Sequence, residues 1–557
     1  MKVPQLGAIE RLERDARRVG EIIAVLVKYG LADWLKSIPG SRVHEWLRSA
    51  EGQAISEHTT AERVRLAFTE LGTTFIKLGQ MLGTRPDLIG LDLARELSGL
   101  QTHTRADPPE VVEALLTAEL GAPPAERFAH FEPAAFASAS IAQVHRARLP
   151  SGERVVVKVQ RTGIEKRIQS DLSILASLAE LAQKHVAEFK PYEPVALVRQ
   201  FRRTILQELD FTRERRNLET FALNFANDDA IHFPRAWPEY SSRRVLTMEE
   251  LTGIQGSEAE RLQASPANLS DFARRGAGMY LEMIFRDSFY HADPHPGNLM
   301  WLPGGVVGVL DCGMTGRLDE GLRDDIENLL LAVAQKDAEG LTDAVWHLSS
   351  IPPDCPREQL RADLADFVAE YAGQSIRELD LSGALQRLTE IIRRHRLFLP
   401  PGVSLLLRTL VLLEGTAQLL SPAFSLAEVI EPFYSRVIGR RLSPRRILLR
   451  LQRSYRDWDR LLGALPRELH SALMQIRVGR FTVHLDHRHL DPVVNRLVLG
   501  IMTASLFLGS SLLWSMKAPP LLGGVSVFGA AGYLLAVYLG WRLFRAVRKS
   551  GNVDSRD

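Results

Sequence analysis

Hydrophobic positions that recur every three or four residues predict helices in the first part of the chain. Residues 1–59 are charged and amphipathic, and the apolar run from Glu21 to Leu35 is too short and too interrupted to span a bilayer. A stronger helix is predicted from Thr60, with apolar residues at Val64, Phe68, Leu71, Phe75, Leu78 and Leu82. Lys77 stands among these apolar neighbours, and its position alone favours a solvated lysine whose stem covers apolar surface.

The pattern changes to that of strands between residues 131 and 160. Two strands flank a turn of small residues, Ala137 to His145, and a third strand, Arg154 to Gln160, follows a hairpin at Pro150. Small side chains let backbone N–H groups approach phosphate oxygens, and alanine makes such a loop stiffer than glycine does. Taken alone, the loop is a weak signal, because small residues in a hairpin usually indicate only a tight turn.

A long helix is predicted from about Pro194 to Ala226, because no proline interrupts that stretch. On a continuous helix Glu208 and Glu214 lie about 240° apart, so they could serve different lysines. Two exposed glutamates are the alternative interpretation. The apolar run from Val245 to Leu251 predicts a strand that leaves one lobe for the next, and residues 270–290 predict an amphipathic helix.

The stretch from Phe289 to Asp311 carries the strongest chemical signal in the chain. A polar loop precedes a short strand, a tight turn at Pro303 and a second strand that ends on Asp311. Asp293, Asn298 and Asp311 therefore converge, and their oxygen atoms are the ligands that Mg²⁺ prefers. A surface turn rich in Asp, Asn and Pro is the alternative, but the joint occurrence of loop, hairpin and Asp-Cys-Gly favours a site.

Helix follows helix from residue 318 to about 475, with proline-marked breaks at 352–356 and 400–401. The tail then differs in kind, because Leu497 to Met516 and Leu521 to Trp541 contain no charged residue. Each run has the length that crosses a bilayer, so a transmembrane hairpin is predicted. The basic residues Arg496, Arg542, Arg545, Arg548 and Lys549 place both flanks on the cytoplasmic side. A buried helical hairpin is the alternative.

Composition narrows the class of protein. The 557 residues are 45% hydrophobic and 24% charged, with a net charge of +2 that gives no indication of a nucleic-acid partner. The two cysteines, Cys312 and Cys355, do not form a disulfide framework and suit a reducing compartment. No apolar signal-peptide core opens the chain. The tract from His484 to His489 contains metal-competent side chains, although such tracts are only a compositional hint.

The spacing of Asp293, Asn298 and Asp311 resembles the catalytic core of the protein-kinase-like superfamily. Across roughly residues 20–545 the sequence resembles the UbiB/AarF family of atypical kinase-like proteins. Lys77-Leu-Gly-Gln80 matches that family's Lys-x-Gly-Gln signature, Ala137-Ser-Ala-Ser140 its Ala-rich loop, and Glu208-Leu-Asp210 its Glu-x-Asp motif. Two departures are Gly83, where the family often has Ser, and Asp-Cys-Gly in place of Asp-Phe-Gly.

The resemblance implies an α+β, bilobal protein-kinase-like fold with an N-terminal helical extension and a C-terminal transmembrane hairpin. It implies ATP and Mg²⁺ as cofactors, Asp293 as the catalytic residue, and Asn298 and Asp311 as metal ligands. Lys77 would pair with Glu208 and Lys158 with Glu214, in a regulatory set that also includes Gln80 and Asp210. The implied nucleotide-binding residues are Phe136, Ala137, Ser138, Ala139, Ser140, Ile141, Ala142, Gln143, Val144, Lys158, Met248 and Glu249.

The predicted domain order follows from the pattern and the resemblance together. It comprises an N-terminal helical segment (1–59), the Lys-x-Gly-Gln extension (60–130), an N-lobe (131–252), a helical C-lobe (253–475), a juxtamembrane segment (476–496), two transmembrane helices (497–541) and a basic cytoplasmic tail (542–557). The resemblance places the protein at the bacterial inner membrane, with the kinase-like domain in the cytoplasm.

The function implied by the resemblance is ATP binding and hydrolysis in support of isoprenoid quinone biosynthesis, chiefly of ubiquinone. Phosphorylation of other proteins is disfavoured, because the Lys77 segment would occupy the space where a protein substrate docks. The implied partners are membrane lipids, quinone precursors and other quinone-biosynthesis enzymes, and a homodimer is compatible with them. Two alternatives stay open: a small-molecule phosphotransferase of the aminoglycoside- and choline-kinase type, and a nucleotide-binding scaffold without turnover.

Overall fold

A computed structural model describes most of the chain. The described residues are 16–32, 58–100, 106–186, 189, 192–265, 267–349, 351–352, 355–371, 380–422, 424–426, 428–430, 433, 490–522 and 525–549. The chain divides into two compact units, residues 1–446 and residues 447–557. The tract from His484 to His489, and the part of the predicted C-lobe between residues 434 and 475, lie outside the described residues.

The N-terminal extension is built from short helices. They are α1 (Ala16–Lys28), α2 (Thr60–Leu71), α3 (Thr73–Gly83), α4 (Pro86–Ile89), α5 (Leu91–Ser98), α6 (Pro109–Leu120) and α7 (Pro124–Arg127). The single helix predicted from Thr60 is wrong, because Gly72 has a φ of 91° and separates α2 from α3. Thr59 and Glu62 form a capping box that starts α2 where the sequence indicated. Apolar residues of α1, α2 and α3 share one core with two later helices, Ile164–His185 and Pro194–Glu208.

A five-stranded antiparallel sheet forms the N-lobe. Its strands are β1 (His130–Phe131), β2 (Ala137–Ser138), β3 (Ala142–Arg148), β4 (Arg154–Gln160) and β6 (Val245–Glu249), in the order β1-β3-β4-β6 with β2 on β3. Val155, Val157 and Val159 point into a core with α6. Because side chains alternate along a strand, Lys158 lies on the opposite face, together with Val156.

Three helices follow β4: α8 (Ile164–His185), α9 (Pro194–Glu208) and α10 (Phe211–Asn224). The one helix predicted from Pro194 to Ala226 is therefore two helices. Asp210 has an extended backbone, and its side chain caps α10 by accepting from the Thr212 N–H. Glu208 thus ends one helix and Glu214 lies in the first turn of the next, so the angle calculated for a continuous helix does not apply.

The C-lobe begins with short strands around the predicted Asp293 loop. One sheet has the order β5-β10-β9-β7, and β11 pairs with β8. The strands are β5 (Ile231–His232), β7 (Ile254–Gln255), β8 (Phe289–His291), β9 (Leu299–Leu302), β10 (Val306–Val309) and β11 (Thr315–Arg317). The predicted strand, turn and returning strand are present as β9 and β10, with Val306 opposite Leu302.

The helices of the C-lobe surround these strands. They are α11 (Ala259–Gln263), α12 (Leu269–Glu282), α13 (Glu320–Ala334), α14 (Ala338–Leu348), α15 (Arg357–Tyr371), α16 (Leu381–Arg394) and α17 (Pro401–Leu420). The helix predicted at 270–290 ends earlier, because a π-helical segment, Met283–Asp287, follows α12 and leads into β8. The breaks expected near 352–356 and 400–401 are present before α15 and α17.

The second unit contains two long helices, α18 (Leu490–Ser515) and α19 (Val527–Lys549), joined through the short strands β12 (Leu521–Leu522) and β13 (Val525–Ser526). The second apolar helix therefore begins at Val527 and not at Leu521 as predicted. Tyr533 packs between Phe507 and Trp514 where the two helices meet.

Three described helices are long and apolar enough to cross a membrane: Pro401–Leu420, Val498–Ser515 and Val527–Arg545. The sequence pattern singled out only the last two. The first is α17, whose Val403, Leu406 and Leu413 are buried in the core of the C-lobe. The other two expose large apolar side chains such as Leu508, Leu534 and Phe544, so these two are the stronger candidates for membrane spans.

Candidate functional site

Lys158 lies between two carboxylates that come from different parts of the chain. Its Nζ is 2.9 Å from both Glu214 oxygens and 3.2 Å from Asp311 Oδ2. Strand β4 aims Lys158 across the sheet, α10 presents Glu214 in its first turn, and Asp311 follows β10. The Asp311 side chain is 48% exposed while that of Glu214 is 6% exposed, so only Asp311 is open to a ligand.

The electrostatics of this group follow from one cation shared by two anions. Burial disfavours the charge on Lys158, yet Asp311 and Glu214 together raise the Lys158 pKa well above its usual range. Burial also opposes ionisation of Asp311, but Lys158 and the Gly313 N–H hold the Asp311 pKa well below its usual range. Burial raises the pKa of Glu214 to about 7, although Lys158 opposes this shift. Lys158 and Asp311 are therefore both charged at neutral pH.

Asp293 and Asn298 lie together on the loop after β8. Asn298 Nδ2 donates to Asp293 Oδ2 at 3.0 Å and to the Asp293 carbonyl at 3.1 Å. The Asn298 amide oxygen faces away from these contacts, because the amide nitrogen makes both of them. The structure thus brings Asp293 beside Asn298, as the sequence predicts, while the catalytic role of Asp293 stays a prediction.

His291 connects the Asp293 loop to the Asp311 loop. Its Nδ1 accepts from the Asp293 N–H at 3.1 Å, so its Nε2 carries the proton and donates to the Asp311 carbonyl. Tyr280 contacts the same Nδ1 from α12 at 3.3 Å. His291 is 1% exposed. It therefore fixes the relative position of two backbone segments and does not itself face the cleft.

Helix α17 supports the Asp293 loop from below. The Thr409 hydroxyl is 3.3 Å from the Ala292 carbonyl and 2.8 Å from the Leu405 carbonyl of its own helix, and Thr416 Oγ1 donates to the Pro294 carbonyl at 2.8 Å. The two threonines are seven residues apart and share one face of the helix. Arg408, on the same helix, has a buried Nε without a hydrogen-bond partner among the described residues. Burial lowers the Arg408 pKa, and Asp293 opposes that shift.

The donors at Asn298 and Asp311 fit a hard cation. Each offers oxygen, and Asp311 is half-exposed toward the cleft. Among the described residues, no group of three or more His, Cys, Asp or Glu side chains could hold a metal ion by itself. This donor set suits Mg²⁺, which takes one or two protein ligands and completes its octahedron with water and substrate phosphates.

The small-residue loop is shorter than predicted, because Ala142, Gln143 and Val144 belong to β3. Ala137 and Ser138 form β2, and the residues from Ala139 to Ile141 connect β2 to β3. Val144 of β3 lies directly opposite Lys158 of β4. Phe136 is 47% exposed and stacks under the Arg146 guanidinium. The predicted nucleotide-binding residues from Phe136 to Val144 therefore lie directly before β2, on β2, on β3 and on the turn between these two strands, and β3 pairs with the strand that carries Lys158. Their contact with a nucleotide stays a prediction.

The strand predicted to leave one lobe for the next is β6, which carries the implied nucleotide-binding residues Met248 and Glu249. Met248 is buried against the lobe core, and Glu249 ends the strand beside His232 of β5, with 2.9 Å between His232 Nε2 and Glu249 Oε2. The hydrogen bond from Glu249 raises the His232 pKa, and His232 lowers the Glu249 pKa. This pair joins the sheet of the N-lobe to that of the C-lobe at the segment between the lobes.

The Lys77 segment reaches the site from the extension. Lys77 Nζ is 2.6 Å from Glu208 Oε2, so both lysine–glutamate pairs that the resemblance implies are present. Lys77 is also close enough to oppose the rise of the Glu214 pKa. Gln80 donates to the Leu100 carbonyl at 2.9 Å and thereby ties α3 to the end of α5. The regulatory role of this set stays a prediction.

Ion pairs and hydrogen bonds of buried residues fix the extension to both lobes. On the N-lobe side, Asp171 of α8 accepts from Arg18 at 2.8 Å and from Thr74 at 2.6 Å. On the C-lobe side, Arg85 is 2.7 Å from Asp87 and donates to the Leu399 carbonyl. Ser404 of α17 donates to Asp87 at 3.3 Å. The extension therefore bridges the two lobes.

Sequence reasoning missed several residues that shape the site. The clearest are Arg161 and Thr73 at the small-residue loop, Arg85 and Asp87 at the lobe anchor, and Thr409 on α17. A seven-residue spacing of Thr409 and Thr416 was the only sequence signal for the last contact. The others depend on pairs far apart in sequence, which a single sequence does not reveal.

Known protein families match three parts of the chain. The ABC1 atypical kinase-like domain matches residues 99–345, the UbiB helical domain residues 364–425, and the ABC1/UbiB kinase-like C-terminal domain residues 484–549. The first match contains Lys158, Glu214, Asp293, Asn298 and Asp311. The second contains α16 and α17.

Individual relatives match most of the chain. A Marinobacter nauticus protein named "Probable protein kinase UbiB" is 34% identical over 75% of this chain and 77% of its own length. The protein of that name from Azotobacter vinelandii is 32% identical over 90% of this chain and 94% of its own. A Clostridium pasteurianum protein named "Uncharacterized protein in hydrogenase 1 5'region" is 28% identical over 96% of this chain and 99% of its own. The chain belongs to the ABC1/UbiB family of atypical kinase-like proteins.

Proposed function

We propose that this protein is a Mg-ATP-dependent, kinase-like ATPase. The observation that carries the proposal is the position of Lys158 between Glu214 and Asp311, 2.9 Å and 3.2 Å from their oxygens. A charged lysine beside a half-exposed carboxylate offers one group for nucleotide phosphates and one for the accompanying cation. Both are fixed in place before any ligand binds, which reduces the free-energy cost of ordering the site.

Each residue of the site has a separate proposed role. Lys158 binds the α- and β-phosphates, and Glu214 keeps its ammonium in position. Asn298 and Asp311 hold Mg²⁺, which when bound neutralises phosphate charge. Asp293 orients the attacking hydroxyl or water, and its hydrogen bond from Asn298 at 3.0 Å fixes the carboxylate for that task. Asp293→Asn should therefore spare nucleotide binding and reduce turnover.

Hydrolysis or transfer to a small molecule is favoured over phosphorylation of another protein. The Lys77 segment is tied to the N-lobe through Asp171 and to the C-lobe through Asp87 and Ser404. A protein substrate would have to displace a segment that is held at both ends. A water molecule or a small acceptor would not.

The proposed setting is the bacterial inner membrane, where the protein supports biosynthesis of isoprenoid quinones, chiefly ubiquinone. Two helices of the second unit, Val498–Ser515 and Val527–Arg545, have the length and hydropathy of membrane spans. Relatives that carry the name UbiB match most of the chain. Membrane lipids and quinone precursors are the proposed partners, with ATP hydrolysis coupled to the handling of these apolar molecules or to the enzymes that act on them.

The test compares the full-length protein in detergent and in liposomes. Mg-ATP binding and phosphate release are measured with and without a quinone-like phenol, for wild type, Asp293→Asn and Asp92→Asn. Asp92 is an exposed acidic residue of α5 and serves as the matched control. We expect Asp293→Asn to lower turnover at least about a hundredfold with little change in the Kd of Mg-ATP, and Asp92→Asn to behave as wild type.

The same experiment separates the competing functions. Turnover that depends on Asp293 and rises with liposomes or phenol supports the proposed ATPase. Phosphate transferred to the phenol would instead identify a small-molecule phosphotransferase. Tight binding with no turnover in any condition would indicate a nucleotide-dependent scaffold. Equal hydrolysis by Asp293→Asn and wild type would remove Asp293 from the catalytic role.

A further inference from the structure

Three successive carbonyl groups of the small-residue loop accept hydrogen bonds from Arg161 and Thr73. The Ala139 carbonyl accepts from Arg161 Nε at 2.9 Å, the Ser140 carbonyl from Thr73 Oγ1 at 3.2 Å, and the Ile141 carbonyl from the Arg161 backbone N–H at 2.9 Å. Arg161 Nη2 also donates to Ser138 Oγ at 2.6 Å. One arginine and one threonine therefore engage the whole loop.

These contacts decide where the N–H groups of the loop point. A trans peptide is planar, and its N–H is directed opposite to its C=O. Because the carbonyls of Ala139 and Ser140 face Arg161 and Thr73, the N–H groups of Ser140 and Ile141 face the other way. Neither N–H donates to a backbone carbonyl within the described residues. Adjacent backbone N–H groups that point the same way form an anion-binding concavity.

Arg161 is itself held in one conformation. Asp107 accepts from Arg161 Nη1 at 3.3 Å and from the Thr162 N–H at 3.0 Å, and the Asp107 N–H donates to Gln143 Oε1 at 2.6 Å. Arg161 is only 7% exposed. Burial lowers the Arg161 pKa and Asp107 opposes this shift. The fork of the guanidinium can thus reach Ser138, Ala139 and Asp107 at once, which an ammonium cannot do.

We propose that Arg161 and Thr73 are positioning residues for the phosphate chain of a nucleoside triphosphate. They act through the loop: by engaging its carbonyls, they present the amides of Ser140 and Ile141 to the phosphates. The inference rests on the proposed function, because it assumes that Mg-ATP binds beside Lys158. It goes further because it assigns part of the affinity for the phosphates to Arg161 and Thr73, two residues that position the loop and do not contact the nucleotide.

The arrangement also links the loop to the Lys77 segment. Thr73 is the first residue of α3, the helix that carries Lys77. A displacement of α3 breaks the Thr73–Ser140 contact and frees the Ser140 carbonyl to turn toward the phosphates, where its negative end repels them. Binding of the phosphates therefore favours the conformation in which α3 stays in place.

The test measures the Kd of Mg-ATP by calorimetry and kcat at saturating ATP for the full-length protein in detergent. The variants are Arg161→Gln, Arg161→Lys and Thr73→Val, the last of which keeps the shape of the side chain and loses the donor. Arg244→Gln is the matched control, because Arg244 also pairs with a carboxylate, that of Glu119 on α6 at 2.6 Å, and does not contact the loop.

We expect Arg161→Gln and Thr73→Val to raise the Kd about tenfold, which corresponds to the loss of one hydrogen bond of ordinary to charged strength. Arg161→Lys should fall between wild type and Arg161→Gln, and Arg244→Gln should match wild type. At saturating ATP, kcat should stay within about twofold of wild type. Asp293→Asn should show the opposite split, with an unchanged Kd and a reduced kcat.

Two results would overturn the inference while leaving the proposed function intact. One is tight Mg-ATP binding by wild type and by Arg161→Gln alike, even if Arg161→Gln unfolds at a lower temperature. The other, which decides the matter if Arg161→Gln does not fold, is an unchanged Kd for Thr73→Val. Failure of wild type to bind Mg-ATP would instead contradict the proposed function, and this inference with it.

Discussion

At the scale of single residues, the site is organised by a shortage of positive charge. Lys158 serves Glu214 and Asp311 together, and both carboxylates lie within 3.2 Å of its ammonium. Burial raises the pKa of Glu214 to about 7, the charge of Asp311 adds to this rise, and Lys158 only partly offsets it. A second positive charge, such as a bound cation at Asp311, would relieve this imbalance.

Removal of Lys158 should destabilise the protein, because the negative charges of Glu214 and Asp311 are then no longer compensated. Lys158→Met leaves two carboxylates without their cation, and we expect the free energy of unfolding to fall by about 3 kcal/mol. Adding Glu214→Gln removes one of the two charges, so the double variant should recover part of the loss. Chemical denaturation of the two variants and wild type measures both effects.

Lys166→Met is the control for the loss of a lysine, because Lys166 is exposed on α8. Its unfolding free energy should stay within about 0.5 kcal/mol of wild type. A double variant no more stable than Lys158→Met would contradict the view that the two carboxylates compete for one cation.

At the scale of elements, short breaks in the helices place the functional side chains. Gly72 separates α2 from α3, and Asp210 separates α9 from α10. The second break puts Glu208 and Glu214 on different helices, where each meets its own lysine. On one continuous helix the angle between the two glutamate side chains would be fixed. The break allows each glutamate to be oriented toward its own lysine.

Gly72→Ala should destabilise the protein. Gly72 has a φ of 91°, which costs an alanine about 1–2 kcal/mol. Gly20→Ala should instead stabilise the protein, with a rise of about 0.5–1 kcal/mol in the free energy of unfolding. Gly20 is inside α1, and nothing lies within 4 Å of an added Cβ. Thermal unfolding of the two variants tests the pair. A gain at both positions would mean that residue 72 tolerates a helical backbone.

The His232–Glu249 pair predicts a pH dependence at the contact between the two sheets. The His232 pKa is raised, so its contribution to stability is fully present below the ordinary His value of 6.5 and is lost as pH rises through the folded pKa. The Glu249 pKa is lowered, so its contribution is present above the ordinary value of 4.5 and is lost as pH falls through the folded pKa. The pair therefore stabilises the contact most between these limits.

His232→Gln should cost about 0.5 kcal/mol near pH 6 and less near pH 8.5, because both side chains are partly exposed. Denaturation of wild type and variant at the two pH values measures the difference. An NMR titration of the His232 ring, with and without Glu249→Gln, provides an independent check. A deficit that grows with pH would contradict the assignment.

At the scale of the whole molecule, the N-terminal extension holds the two lobes of the kinase-like unit together. Its N-lobe anchor is centred on Asp171, which is 1% exposed, and its C-lobe anchor on Asp87, which is 3% exposed. Lys77 lies between the anchor residues Thr74 and Arg85 along the chain. Any opening of the cleft between the lobes has to break one of the anchors.

Asp87→Asn should release the C-lobe anchor. It leaves the buried Arg85 guanidinium without a carboxylate, which costs about 3 kcal/mol. We expect faster amide hydrogen exchange in α4 and α5, measured by mass spectrometry. Asp92→Asn, a change of the same kind at an exposed position of α5, should leave the exchange as in wild type. Unchanged exchange in Asp87→Asn would show that other contacts hold the extension.

The sequence by itself determined the features that depend on neighbours along the chain. The alternation along β4 that places Lys158 opposite the valine face, the β9–β10 hairpin that joins Asn298 to Asp311, and the apolar lengths of the last two helices are all local patterns. The short spacing between Asp293 and Asn298 also predicted that both lie on one loop. The family motifs added the pairing of each lysine with its glutamate.

Only the tertiary structure decided which distant residues meet. The sequence pattern did not reveal the break at Gly72, because apolar residues continue at helical spacing on both sides of it. It did not reveal the break at Asp210, because no proline marks that position. The contacts of Arg161 with the small-residue loop join residues at least 20 positions apart, and those of Arg85 with Leu399 and of Asp87 with Ser404 join residues more than 300 positions apart. Periodicity carries no information about such contacts, since it records only which face of an element is apolar. The burial of a charged side chain depends on the partner that packing brings to it.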